Sequence, residues 1–261
     1  MSEPVLIEKL SSGITKICIN RPQRRNAVDG PTAHKLHAAF TSFDNDKTQK
    51  VCIIYGTEGN FCAGADLQQI STSESNPMSP VDTKKPAPMG PSRMTLSKPV
   101  IAAVAGHAVA GGLELSLLAD MRVVEEDAVF GVFCRRFGVP LIDGGTVRLQ
   151  RTVGLGRAMD MILTGRAVSA KEALGMGLAN RLVPKGKAVE EAMALAEQLL
   201  RFPNKCMNAD RQSVYYAAYE AKTQQDALAY EFENGQSVVL DESVQGAARF
   251  RDGVGRHGAK L

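Results

Sequence analysis

Glu114 stands three residues after Gly111 in Val109-Ala110-Gly111-Gly112-Leu113-Glu114-Leu115, where a glycine pair runs into an apolar, helix-compatible stretch. A helix start leaves backbone N–H groups unpaired and carries a partial positive charge, so it can hold developing negative charge beside an acid or base. That is a catalytic geometry. A second glycine turn, Asn60-Phe61-Cys62-Ala63-Gly64-Ala65-Asp66-Leu67, follows the apolar run Val51-Cys52-Ile53-Ile54-Tyr55 and opens toward another helix-compatible segment. One amide from each turn, converging on a single carbonyl oxygen, would stabilise an enolate far better than either alone. Around Glu114 lie Leu113, Leu115, Leu117 and Leu118. Desolvation there raises a carboxyl pKa while a helix start lowers it, so sequence leaves the sign open.

Other polar residues read differently. His107 has no partner Ser, Cys or ligand set beside it and reads as a satisfied structural histidine. Lys84 and Lys85 read as a solvated pair. Cys18, Cys52, Cys62, Cys134 and Cys206 are scattered through mostly apolar segments with no CxxC pair or metal-ligand rhythm, as expected of reduced, buried thiols in an intracellular protein. No metal site is expected.

The elements that must position these groups follow from local pattern. Residues 5–10 and 14–19 alternate around Ser11-Ser12-Gly13 and predict a hairpin. Asp29-Gly30-Pro31 predicts a helix start, with Leu36, Phe40 and Phe43 on one face. Residues 51–55, 100–104 and 121–124 are short β-branched runs, each associated with a turn and a helical stretch, which places the chain in the α/β class. Residues 71–91, rich in Ser, Pro, Thr and Lys, read as a mobile loop covering substrate. Beyond about residue 188 the pattern is helical, with Val189, Ala192, Met193, Ala196, Leu199 and Leu200 on one face, and the tail carries Tyr215, Tyr216, Tyr219, Tyr230 and Phe232.

Composition bounds the function. The 261 residues are 44% hydrophobic, enough for one large core or two small ones. The net charge of +3 comes from 31 basic and 28 acidic residues interspersed along the chain, a balance that gives no steering field for nucleic acid. Met1-Ser2-Glu3-Pro4 lacks the basic, apolar character of a targeting signal, and no apolar run approaches the roughly 18 residues of a membrane span. A soluble protein without a membrane partner is expected. Ala259-Lys260-Leu261 fits the small-basic-leucine pattern of a peroxisomal address, the expected location in a eukaryotic cell, with the cytoplasm expected otherwise.

The two glycine turns, the opening Ile19-Asn20-Arg21-Pro22-Gln23-Arg24-Arg25-Asn26-Ala27-Val28, and the later Phe130-Gly131 and Gly144-Gly145-Thr146 occur in an order and at spacings that resemble the enoyl-CoA hydratase/isomerase (crotonase) superfamily. The resemblance covers nearly the whole chain. It implies a crotonase-like spiral of ββα units over residues 1–195, holding an acyl-CoA site, and a C-terminal α-helical oligomerisation region over residues 196–261. A homotrimer or dimer of trimers is implied with it. The aromatics of the tail packing only on its own helices is the alternative.

Carried residue by residue, the resemblance implies that the amides of Ala65 and Gly111 form the oxyanion hole for a thioester, with Glu114 as the acid/base group. Arg24 and Arg25 fall where CoA phosphates are bound, Ala63 where a backbone meets the adenine, and Asp66 and Leu67 beside it, Asp66 also being able to cap the next helix. Phe250 falls where a tail aromatic lines a neighbouring subunit's acyl pocket. Cys134 occupies the position at which hydratases of the family carry a second glutamate, and a thiol is badly matched to protonating carbon. Asp143 falls where dienoyl-CoA isomerases and naphthoyl-CoA synthases carry a working aspartate. Its local context, Asp-Gly-Gly-Thr before Val147, Leu149 and Val153, is equally a helix cap.

The expected activity is hydration of a trans-2-enoyl-CoA to a 3-hydroxyacyl-CoA, with CoA part of the substrate and no separate cofactor. Isomerisation of an enoyl- or dienoyl-CoA double bond is the nearest alternative. A crotonase-fold RNA-binding or non-catalytic protein is the alternative from another class, and it would want a basic stripe with interleaved aromatics that these mixed charges do not supply.

Overall fold

A computed structural model describes residues 3–72 and 81–255, which form two compact units, Met1–Ala196 and Glu197–Leu261. In the first, alternation around Gly13 produces the hairpin: β1 (Val5–Lys9) runs antiparallel to β2 (Ile14–Ile19), from Val5 opposite Ile19 to Lys9 opposite Thr15. The apolar runs that follow add in parallel. β3 (Val51–Gly56), β4 (Val100–Val104), β6 (Met121–Glu125) and β9 (Arg181–Val183) complete a six-stranded sheet in the order β1-β2-β3-β4-β6-β9. Parallel strands covered on both faces need apolar residues at successive positions, and every residue of β4 is buried accordingly.

A second layer holds short strands. β5 (His107–Val109) pairs in parallel with β7 (Val129–Gly131), which pairs antiparallel with β8 (Val168–Ser169). Cys62, just past β3, bridges Ala108 of β5 in parallel, and Val28 bridges Ala65. The short pieces thus stack in the same sequence as the long ones, and the chain climbs as successive strand, strand and helix turns. This is the expected ββα spiral.

Helices close each turn: α1 (Gly30–Asn45), α2 (Leu67–Thr72), α3 (Gly111–Ser116), α4 (Gly145–Val153), α5 (Leu155–Thr164), α6 (Ala170–Gly175) and α7 (Ala188–Leu200), with 3-10 turns at Pro22–Arg24 and Phe133–Phe137. The start of α1 is as its sequence predicts, since Asp29 accepts from the Thr32 amide at 2.9 Å and Pro31 occupies the first turn. Leu36, Phe40 and Phe43 are fully buried on its inner face. On α7 the buried residues are Ala188, Ala192, Leu195 and Ala196, a face rotated slightly from the predicted one.

The loop expectation for residues 71–91 needs correction in its last part. Residues 73–80 lie outside the described residues, but Ala87, Met89 and Gly90 are buried, and Ala87 and Gly90 pair backbone to backbone at 2.8 Å in both directions. Residues 86–92 are therefore wall, not flap. Proline and glycine spacing hid this, because a chain without periodicity can still be packed from several sides.

The second unit contains α8 (Asn204–Tyr219), α9 (Gln224–Val238) and α10 (Val244–Arg251), the last two joined by a π-helical turn at Val239–Ser243. A Thr223/Asp226 capping box starts α9. Tyr216 and Tyr230 stack with centroids 4.0 Å apart, so part of the tail's aromatic content does pack on its own helices. Phe232 at 67% and Leu240 at 87% exposure do not. Among the described residues no helix is long and apolar enough to cross a membrane. Ala259-Lys260-Leu261 lies outside the described residues.

Candidate active site

The two glycine turns meet. A Cβ placed on Gly64, whose φ is +100°, would lie 2.9 Å from Ala110 Cβ and 3.0 Å from the Gly111 amide nitrogen. A Cβ on Gly112 would lie 2.0 Å from the Cys62 carbonyl oxygen. Only residues without side chains allow the backbones to approach this closely. Ala110, immediately before α3, takes φ +53° and ψ −126°, a sparsely populated conformation that turns the chain sharply out of β5. Ala65 and Gly111 both line one cavity of about 220 Å³, and among the described residues neither amide donates to another protein group. Two free donors therefore border the same space.

The first of these turns is tied down by residues 20–28. Asn26, fully buried, accepts from the Arg21 amide at 2.9 Å and donates to the carbonyls of Thr57 and Asn60 at 2.9 and 2.6 Å. Arg21 pairs with Asp29 at 2.7 Å and Asp66 at 3.1 Å. Asp66 in turn accepts from the Gln68 amide at 3.2 Å, so one guanidinium holds the caps of both α1 and α2. Arg24 and Arg25, the residues singled out from sequence, are exposed and do not line the cavity; the Arg25 carbonyl accepts from the Ala63 amide at 3.0 Å. Ala63, Asp66 and Leu67 do line it. The sequence motif was legible, but the arginine it turns inward is Arg21, with its side chain 13% exposed.

Glu114 is 2% exposed, lines the cavity and lies in the first turn of α3. Its Oε1 accepts from the amides of Asp143 and Gly145, each at 2.8 Å. Burial is the main force on its titration and the charge of Asp143 adds to it; together they outweigh the two amides and Arg148, pushing the carboxyl up to about 7. The sign left open in sequence is thereby decided. Gly145 is a necessity here, since a Cβ on it would lie 2.8 Å from Glu114 Cγ.

Asp143 lines the same cavity at 3% exposure, and burial holds its carboxyl above the ordinary aspartate range. The helix-cap reading of Asp143 does not hold. Gly144, in the left-handed region at φ +94°, is the N-cap of α4 with no side-chain cap bond, and the first amide of the helix, that of Gly145, is taken by Glu114 instead. The Asp143 carboxylate points elsewhere, accepting at Oδ1 from the Met89 amide at 3.0 Å and from the Ser92 hydroxyl. Cys134, on the 3-10 turn Phe133–Phe137, is a buried part of the cavity wall, and burial, then the Glu114 charge, raises its thiol pKa. Phe133, Val139 and Ile142 extend the apolar lining beside it.

Phe250 belongs to the second unit, on α10, at 56% exposure. His107 is a structural histidine as expected, its Nδ1 lying 2.9 Å from Asn60 Oδ1. Sequence reasoning missed Arg21, Asn26, Met89 and Ser92. Arg21 and Asn26 sit inside the quoted motif, whereas Met89 and Ser92 had no local signal because their partner is about fifty residues away. Among the described residues no group of three His, Cys, Asp or Glu side chains is arranged to hold a metal ion.

The spiral of ββα turns thus brings its two glycine corners and two buried carboxyls to one cavity. The chain belongs to the enoyl-CoA hydratase/isomerase family, whose model matches residues 9–253. A probable enoyl-CoA hydratase of Rhizobium meliloti is 36% identical over 204 residues, 77% of either chain. The 2,3-dehydroadipyl-CoA hydratase of Escherichia coli is 32% identical over 82% of either chain. The crystal structure of an enoyl-CoA hydratase from Mycobacterium tuberculosis superposes with a TM-score of 0.87 at 32% identity, over 96% of both chains.

Proposed function

We propose that this protein adds water across the C2–C3 double bond of a trans-2-enoyl-CoA to give a 3-hydroxyacyl-CoA. The observation that carries the reading is the convergence of two unpartnered amides, Ala65 and Gly111, on a cavity that also holds Glu114 and Asp143. With the thioester oxygen between those amides, electron density arriving at C2 is delocalised onto an oxygen that fixed donors stabilise more strongly as its charge grows. One carboxyl takes a proton from water as its oxygen bonds to C3, and the other delivers a proton to C2. Buried carboxyls with raised pKa values are suited to both tasks near neutral pH.

CoA enters as part of the substrate. In this reading Ala63 and Leu67 meet its nucleotide end and Cys134 with Phe133, Val139 and Ile142 encloses the acyl chain, which is supported by their all lining one cavity. Arg24 and Arg25, exposed near Ala63, supply cations for phosphate at the rim. The helices of Glu197–Leu261 carry exposed Val214, Phe232, Leu240 and Phe250, which supports a homotrimer or a dimer of trimers in which Phe250 lines a neighbour's acyl pocket.

Double-bond isomerisation is the second reading, favoured by one feature: the second carboxyl comes from Asp143 rather than from the position of Cys134. A screen of enoyl- and dienoyl-CoA esters followed by mass decides between them. Hydration adds one water, with labelled solvent oxygen appearing in the product, whereas isomerisation shifts absorbance at constant mass. No turnover of any such ester would refute both.

A further inference from the structure

Ser92 is fully buried, and its hydroxyl donates to Asp143 Oδ1 alongside the Met89 amide. Its backbone carbonyl accepts from Arg148 Nη1 at 2.6 Å, while Arg93 donates through Nε and Nη2 to the Ile142 carbonyl at 3.1 and 2.9 Å. Residues 89–93 are thus clamped onto residues 142–148 with the Asp143 side chain between them. The charged groups facing that side chain are Glu114 from α3, Arg93 from the clamping segment and Arg148 from α4.

An oxygen that already accepts two donors has no room for a proton of its own. Glu114 Oε1 and Asp143 Oδ1 are both in that position, so a proton on either carboxyl sits on Oε2 or Oδ2. The two acids differ in what surrounds them. The hydrogen bonds to Glu114 come from main-chain amides, with the charge of Arg148 beside them, whereas Asp143 has a hydroxyl donor as well as an amide and feels the charges of both Arg93 and Arg148, all of which favour its ionised form.

We propose that Ser92 is a positioning residue acting through Asp143: together with the Met89 amide it holds Oδ1, so that Oδ2 accepts a proton in the reaction while Glu114 serves as the donor. The inference rests on the reading of the cavity as an enoyl-CoA site. In hydration, water gives its proton to Asp143 Oδ2 as its oxygen bonds to C3, the C2–C3 π pair moves toward C1, and Glu114 transfers its proton to C2. The proton gained by Asp143 and lost by Glu114 is then re-equilibrated through solvent, so only water is consumed. The titration of Glu114 near 7, with Ser92, Met89, Arg93 and Arg148 opposing the rise at Asp143, agrees with that division of roles.

The test compares kcat and KM across pH for wild type, Ser92→Ala, Ser92→Thr, Asp143→Asn and the Ser92→Ala/Asp143→Asn double variant, using an enoyl-CoA that wild type turns over. Ser92→Ala should lower kcat on the order of 10- to 100-fold with KM nearly unchanged. The acid limb of its profile should move to higher pH, since a lost donor destabilises the carboxylate. Ser92→Thr should restore both, and Ser92→Ala should cost nothing further once Asp143 is Asn. Wild-type kcat and limb position in Ser92→Ala, or a loss equal at every pH that persists in the Asp143→Asn background, would overturn the proposal and leave Ser92 a packing residue. Should Ser92→Ala not fold, Ser92→Cys, nearly isosteric but a weak donor, is held to the same outcomes. A wild-type enzyme that turns over no enoyl-CoA would instead overturn the site reading itself.

Discussion

Glu114 shows how burial and hydrogen bonding compete at one carboxyl. Two amides stabilise its charge, yet taking it out of water beside Asp143 costs more, and its pKa rises from the ordinary 4.5 to about 7. A carboxyl raised on folding lends stability that is complete below its unfolded value and is lost as pH climbs through its folded value. Glu114→Gln removes that loss. We expect the variant to be more stable than wild type at pH 8.5 by about 3 kcal/mol, the gap closing as pH falls toward 5, read from urea midpoints. The same variant should lose kcat by about 10²- to 10⁴-fold in the enoyl-CoA assay, with KM little affected. Cys134→Ser, by contrast, should retain kcat, because the Cys134 thiol, raised by burial and by the Glu114 charge, is no proton donor to carbon. An inactive Cys134→Ser enzyme would place the thiol in the chemistry.

At the scale of elements, the two glycine corners behave as one part. Gly112→Ala puts a methyl 2.0 Å from the Cys62 carbonyl, so either the turn at 60–66 or the start of α3 must shift. Such overpacking costs about 1–3 kcal/mol, and here it also moves the Ala65 and Gly111 amides apart. The expected result is a folded protein with a lowered urea midpoint and a kcat reduced more than its stability. Asp29→Ala removes the α1 cap and one of the two partners of Arg21, and should lower the urea midpoint by an amount worth about 1 kcal/mol or somewhat more. These elements were largely readable beforehand. The hairpin, the α1 cap and the short parallel strands obey local rules of alternation, capping and β-branching, and they appear within a residue or two of where those rules put them. Residues 86–92 were not readable, because what packs them is Asp143 and its neighbours, remote in sequence.

For the molecule as a whole, the exposed apolar side chains of α8–α10 carry the prediction. Sedimentation of the purified chain should give a trimer or a hexamer, and Leu240→Asp, at a side chain 87% exposed, should lower the assembly state without unfolding the protein. A monomeric wild type would remove the proposed contribution of Phe250 to a neighbour's pocket.

The hairpin, the apolar strands at 51–55, 100–104 and 121–124, the two glycine corners and the presence of Glu114 at the second were determined by sequence alone, since turn formation, capping and apolar periodicity are short-range effects. Where the Asp143 carboxylate turns, and which arginine of the Arg21-Pro22-Gln23-Arg24-Arg25 run turns inward, were decided only by the tertiary structure. A capping motif beside a helix looks the same whether its side chain turns back to that helix or away to Ser92 and Met89, and the choice depends on groups that folding brings from some fifty residues away.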